Sequence, residues 1–207
     1  MTPDDVRRAF EETGALLSGH FKLSSGLHSD RYLQCAKLLQ WPERAAALGA
    51  SLAAAVRDAL AGAVPDVVVS PAMGGLVIGH EVGRALARRA IFAERVDGAF
   101  TFRRGLGLEA GERALVVEDV VTTAKSTREV VDLVLASGAE VVACSAIVDR
   151  RKGAGAEPGS PLAGLPFRAL LSIDVATWEP SGCPHCIEGM TIVAPGSRFL
   201  VPPGKDA

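Results

Sequence analysis

Short runs of Val, Leu and Ala limit what this chain can become: Val67–Val69, Ala114–Val117 and Val141–Val148. Each is too short for a helix and too continuously apolar for a strand wetted on one face, so each reads as a strand buried on both faces of a parallel sheet. Ala90–Phe92 and Phe167–Ile173 are two more strand candidates, while Leu76–Arg89 and Ser126–Ser137 read as intervening helices. Strand, helix, strand at this spacing implies right-handed crossovers. The expected fold class is therefore α/β, with a central, mainly parallel sheet flanked by helices, and 207 residues suit a single domain.

The flanks are less regular. Pro3–Leu17 has the pattern of an opening helix, with Thr2 as cap, Asp4 and Asp5 at its positive end, and Gly14 weakening its second half. His20–Gln34 suggests two short strands around a glycine-bearing turn. Pro42 then opens an Ala-rich helix running to about Ala63. Residues 94–111 are polar, contain four glycines and lack periodicity, which fits a mobile lid better than an idle connection. Residues 152–164 form a Gly/Pro/Ala loop.

Charge and composition narrow the partners. Twenty-two Lys and Arg against 24 Asp and Glu leave a net charge of −2, too little positive field to hold a nucleic-acid backbone, and only 5% of residues are aromatic. An anion would have to be met locally. Four cysteines in a chain this long are not a disulfide scaffold and fit a reducing cytoplasm. The acidic start and the lack of any run near 18 apolar residues give no secretory or membrane signal.

The segment with most chemical content is Ala114–Thr127. A buried strand leads to adjacent carboxylates, Glu118 and Asp119, then to Val120 and Val121, then to Thr122, Thr123, Ala124, Lys125, Ser126 and Thr127 opening a helix. Backbone N–H groups at a helix start, with hydroxyls around them, cradle phosphate. Carboxylates beside a phosphate make sense if they face sugar hydroxyls or help hold Mg2+, so the combination describes a phosphorylated sugar. The same residues also suit a plain strand-end turn and helix cap. The spacing is not that of a Walker A loop.

This segment resembles the motif by which type I phosphoribosyltransferases bind 5-phosphoribosyl 1-pyrophosphate (PRPP). Three further stretches, Gly19–Tyr32, Ser70–Gly75 and Ile147–Arg150, resemble the hood, pyrophosphate loop and late Asp-Arg strand end of the orotate phosphoribosyltransferase family. The resemblance covers about residues 10 to 200 and implies the type I phosphoribosyltransferase fold, a single domain over 1–207 with a hood (about 1–40 plus a C-terminal segment) and a lid at about 94–110. It implies transfer of phosphoribose from PRPP to orotate with Mg2+, held mainly through PRPP and in part by Asp119, in a cytoplasmic homodimer that binds neither nucleic acid nor membrane. Carried over by position, Glu118 through Ser126 would hold PRPP with Arg95, and Asp119, Arg95, Arg103 and Arg104 would be catalytic. Thr122, Arg150, Ser24, Ser25 and Gly26 would meet orotate.

The chain departs from that pattern in places. Ala124-Lys125 stands where glycines are usual, so either the backbone avoids a positive φ at 124 or the phosphate sits differently. Gly74 replaces a common lysine, and Ser24 replaces another. Purine or uracil transfer, or a PRPP-sensing regulator on the same fold, are the competing readings. Cys183-Pro184-His185-Cys186 reads as a structural turn: zinc needs four ligands, no second cysteine pair exists, and His20, His28 and His80 lack ligand spacing.

Overall fold

The computed structural model describes residues 1–23, 25–151 and 162–195; the expected site residue Ser24 and residues 152–161 of the Gly/Pro-rich loop lie outside the described residues. Helix α1 (Pro3–Glu12) opens with a capping box in which Thr2 Oγ1 accepts the Asp5 N–H at 3.2 Å and Asp5 Oδ2 accepts the Thr2 N–H at 2.9 Å. It buries Val6, Ala9 and Phe10. The helix stops at Glu12 instead of reaching Leu17, because the chain turns back at Thr13–Gly14, where the Ala15 N–H donates to Phe10 O at 2.8 Å.

Leu17 accordingly lies in strand β1 (Leu16–Lys22), which pairs antiparallel with β2 (His28–Leu33). The two expected strands are both present. A one-turn helix α2 (Cys35–Leu39) and the long α3 (Pro42–Ala59) follow. Helix α2, too short to show periodicity, was not legible in the sequence.

The α/β part runs β3 (Val67–Pro71), α4 (Gly74–Leu86), β4 (Arg89–Val96), β5 (Ala99–Thr101), β6 (Arg113–Val121), α5 (Lys125–Ala136), β7 (Glu140–Asp149) and β8 (Phe167–Ser172). The six strands lie in the order β5-β4-β3-β6-β7-β8, with β4, β3, β6, β7 and β8 parallel and β5 antiparallel at one edge. The chain ends, as described, with β9 (Thr177–Trp178), a 3-10 turn (Pro180–Gly182) and α6 (Pro184–Ile187). β9 joins β2, so the hood is a three-stranded antiparallel sheet, β1-β2-β9.

Alternation along β3 and β6 divides the core between the two faces. Val68, Leu115 and Val117 pack with α1 to α4, whereas Val67, Val69, Ala114 and Val116 pack with Val130, Val131 and Val134 of α5. Fully burying one such valine is worth roughly 1.5–3 kcal/mol, so these runs are a large part of what selects the fold.

The expected lid is only partly irregular. Glu94–Thr101 is a hairpin whose register pairs Glu94 with Thr101, Arg95 with Phe100 and Val96 with Ala99. Asp97-Gly98 turns it, with φ of +50° and +88°, the pattern of the tight two-residue hairpin turn that Asp-Gly favours. Among the described residues no helix is long and apolar enough to cross a membrane.

Candidate active site

Connections from β3 and β6 leave in opposite directions. The chain after β3 passes through α4 to β4 on one side, and the chain after β6 passes through α5 to β7 on the other. The crevice between the carboxyl ends of β3 and β6 is thus the topological switch point, where open parallel sheets bind ligands.

Strand β6 does not end at Val117; it continues through Val121, so Glu118 and Asp119 sit within the strand, and both carboxyls lie close to the start of α4. Glu118 lines a cavity of about 60 Å³ together with Val120 to Thr127, several times the roughly 10–15 Å³ that one water needs. Asp119 faces the start of α4. A side chain at Gly74 would place its Cβ 2.8 Å from Asp119 Oδ1, and one at Gly75 would come within 2.9 Å of Val117 O. The Gly74-Gly75 pair is therefore what lets α4 begin against the acids, and its positive end faces a carboxylate. The sequence placed this pair in a stretch resembling a pyrophosphate loop, with Gly74 in place of a lysine, but gave no sign of its contact with the acids.

The two carboxyls strain one another. Burial, followed by the charge of Asp119, raises the Glu118 pKa well above the usual carboxylate range, and Asp119 is also raised by burial. Their local partners are few: Glu118 Oε1 accepts the Asp119 N–H at 3.2 Å and Asp119 Oδ1 accepts the Val120 N–H at 2.8 Å. The same two charges, after burial, hold the nearby Cys35 thiol protonated. An acid pair this poorly solvated is suited to donors that arrive with a ligand, hydroxyl groups or a divalent cation among them.

At the turn after the strand, Ala124 keeps the left-handed conformation, φ +59° and ψ +10°. Of the two alternatives for Ala124-Lys125, avoidance of a positive φ is excluded: the shape is that of glycine, held at a cost of roughly 1–2 kcal/mol by an alanine whose methyl is buried against the α5 side of the core. Thr122, Thr123, Lys125 and Ser126 are exposed at the cavity mouth, and Thr127 is buried beneath it.

Arg150 follows β7 and its N–H donates to Val121 O at 2.8 Å, which puts it beside the end of β6. Its side chain is half-buried, its Nε has no hydrogen-bond partner, and no carboxylate among the described residues pairs with it. Burial lowers its pKa. Arg151 next to it is the opposite case: it grips Asp149 at 2.8–2.9 Å and stacks on the Phe167 ring at 4.0 Å. A half-buried guanidinium with no carboxylate of the described residues beside it has the chemistry to receive an anion.

Residues 34–165 match the family model for the phosphoribosyl transferase domain. The chain is 50% identical to the orotate phosphoribosyltransferase of Acidithiobacillus ferrooxidans over 97% of this chain and 100% of that one. It is 48% identical to that of Heliobacterium modesticaldum over 96% and 100%. The chain belongs to the orotate phosphoribosyltransferase family. Among solved structures it is similar to an orotate phosphoribosyltransferase from Mycobacterium tuberculosis, with a TM-score of 0.61 at 27% identity over 82% of this chain and 96% of that one. The type I phosphoribosyltransferase fold expected from the motifs is the fold observed.

Other residues expected to act in an orotate phosphoribosyltransferase are held elsewhere in this conformation. Arg95 donates to Gly98 O, pairs with Glu129 of α5 and lies over the Phe100 ring at 4.1 Å. Arg104 pairs with Glu94 at 2.8 Å, and Arg103 approaches the same carboxylate at 4.0 Å. Glu94 and Glu129 as their counter-ions were missed in the sequence, because the hairpin that brings them close was read as loop. Ser25 and Gly26 form the tip of the β1–β2 hairpin, where the Gly26 N–H donates to Leu23 O at 2.9 Å. No hydrogen bond among the described residues joins that tip to Glu118–Thr127.

A groove of about 270 Å³ between α1 and α3 is larger than the acid-lined cavity, but none of the expected site residues lines it. One reading from the sequence needs correction. His20 and His28 do converge on Cys183 and Cys186, all four ligand atoms lying within 4.8 Å of one another. Hairpin pairing, which residue spacing does not display, supplies the two partners the cysteines seemed to lack. His80, as expected, is on the surface.

Proposed function

We propose that the chain joins N1 of orotate to C1′ of PRPP, with release of pyrophosphate and formation of orotidine 5′-phosphate, a step of pyrimidine nucleotide synthesis. The observation that carries this is the sharing of one cavity by a carboxylate and a helix-start anion cradle, Glu118 with Val120–Thr127. That combination suits a sugar phosphate.

The 5′-phosphate takes the cradle, where backbone N–H groups, Thr122, Thr123 and Ser126 donate to it and Lys125 adds charge. Glu118 and Asp119 accept hydrogen bonds from the ribose hydroxyls, which relieves their mutual repulsion. Arg150 offers a planar fork to the orotate carboxylate, with Thr122 and the Ser24–Gly26 tip completing the base pocket. Purine and uracil carry no such carboxylate, and an Arg150 with no carboxylate partner among the described residues favours orotate over them.

Orotate N1 loses its proton readily, so the protein's task is to align nucleophile and anomeric carbon, which lowers a barrier by several kcal/mol. It must also meet charge building on pyrophosphate. Arg95 and one of Arg103 and Arg104 do this after exchanging Glu129 and Glu94 for the leaving group. Closing the lid excludes water from the anomeric centre. Magnesium would supply positive charge against the leaving group, held mainly through PRPP with Asp119 contributing, and a raised carboxyl pair fits it because a divalent cation favours the ionised form. The working form is a cytoplasmic homodimer whose lid serves the neighbouring site.

Pyrophosphate release with PRPP and orotate, against adenine, guanine and uracil, with and without Mg2+, tests this reading. Turnover confined to orotate and dependent on Mg2+ is expected. Equal turnover with uracil overturns the role of Arg150, and no turnover with any base overturns the enzyme reading.

A further inference from the structure

Three neighbours crowd one ring nitrogen in the hood. His20 Nε2 lies 3.0 Å from His28 Nδ1, 3.5 Å from Cys183 Sγ and 3.6 Å from Cys186 Sγ. Cys186 Sγ is also 3.2 Å from His28 Nδ1. An imidazole nitrogen has either one lone pair or one N–H in the ring plane, so it cannot hydrogen-bond all three. Atoms that converge without a hydrogen-bonding pattern to match are arranged around a common centre. We propose that His20, His28, Cys183 and Cys186 form a tetrahedral site for one structural Zn2+ ion, which fastens the hood hairpin to the C-terminal segment.

Four of the six ligand–ligand distances suit that ion closely, and all six lie within 4.8 Å. Zn–S bonds of about 2.3 Å and Zn–N bonds of about 2.0–2.1 Å give a tetrahedron with edges of about 3.3–3.8 Å, and the four contacts above fall within about 0.3 Å of that range. The donor set, two thiolates and two imidazoles, is a closed structural type with no position left for water. His20 is also oriented for ligation: its Nδ1 donates to Met190 O at 2.9 Å, which leaves the Nε2 lone pair facing the other three atoms. A backbone acceptor behind a ligating histidine is the usual outer-shell device.

The backbone builds the site from both sides. His28 is paired with Lys22 across the hairpin and with Trp178 of β9, so β9 delivers the chain directly to Cys183. After α6 the chain returns to β1, where the Val193 N–H donates to His20 O at 2.8 Å and the Lys22 N–H donates to Val193 O at 2.9 Å. The Cys-x-x-Cys turn is thus closed at both ends over the two histidines. His185 between the cysteines is outside the ligand set and lies near Glu188, its Nδ1 at 3.6 Å. This site is separate from the Glu118–Asp119 crevice, and the proposal stands whichever base the enzyme uses.

The full-length, untagged protein purified without chelator should contain about one zinc per chain. Replacing the metal with Co2+ should give visible d–d bands of tetrahedral Co2+ and a sulfur-to-cobalt charge-transfer band, a readout that needs no variant. Cys186→Ser and His28→Ala should fall to less than about 0.2 zinc per chain, whereas His185→Ala should stay near one. Wild-type protein that is metal-free after incubation with equimolar Zn2+, or that gives no tetrahedral Co2+ spectrum, overturns the site. So does a mass two hydrogens lighter than the reduced chain, which would mean a Cys183–Cys186 disulfide instead.

Discussion

The two ends of the parallel sheet treat charge in opposite ways. At the amino end, where β4 and β6 begin, Arg89 holds Glu112 with contacts of 2.6–2.9 Å and also donates to Gly107 O, while Asp66 accepts the Arg113 N–H at 3.0 Å. The Arg89 partner depresses the Glu112 pKa. At the carboxyl end, two carboxyls crowd each other with raised pKa values and Arg150 has no counter-ion among the described residues. One end is finished as folded, and the other, on the function proposed above, is finished by a ligand. Substitutions should therefore move stability alone at the first, and stability and activity in opposite directions at the second.

The largest effect is expected from Asp119→Asn, which keeps shape and removes charge. Orotidine 5′-phosphate formation should fall by about 10²–10³-fold, the scale of losing one pre-arranged transition-state contact, with an unchanged circular dichroism spectrum. Wild-type turnover in this variant breaks the comparison at its functional end. Next, Arg150→Ala should raise the KM for orotate by about 10–100-fold, the worth of a charge-assisted hydrogen bond at 1.5–3 kcal/mol, and leave the KM for PRPP almost unchanged. An equal rise in both would place Arg150 outside the base pocket.

Glu118→Gln sharpens the comparison because it should stabilise the unliganded protein while lowering activity. A carboxyl whose folded pKa lies above its unfolded one contributes stability below the ordinary carboxylate pKa and loses it as pH rises through the folded value. At neutral pH the variant should thus melt at least about 2 °C above wild type, and the two should converge as pH falls below the ordinary carboxylate range. A variant that melts lower at neutral pH contradicts this. The smallest effect belongs to Arg89→Ala: its pair with Glu112 is partly exposed and such pairs contribute about 0–1 kcal/mol. Chemical denaturation should register that loss with turnover unchanged.

What the sequence revealed follows the reach of each signal. The buried strands were legible because a continuous apolar run has few other uses, and the PRPP loop because acids, small residues and hydroxyls occupy neighbouring positions in one segment. Helix α2 and the end of α1 were not, since one turn has no period and Thr13–Gly14 ended a pattern that Leu17 appeared to extend. The lid hairpin was hidden by polar side chains, although Asp97-Gly98 carried its turn. Contacts between segments far apart in the chain were the least visible: Gly74 against Asp119, Arg95 against Glu129, and His20 and His28 against Cys183 and Cys186 all depend on pairings that no local pattern encodes.

Ala124 bears on more than the loop it turns. A glycine there would reach the same shape through freedom of its backbone, whereas here a buried methyl wedges the turn in place. Alanine and glycine codons differ by a single nucleotide, so the wedged and the free turn are immediate neighbours in mutational space. The stiffness of the proposed phosphate cradle is then a quantity that ordinary genetic drift can adjust in one step, with the acids, the hydroxyls and the sheet beneath them unaltered.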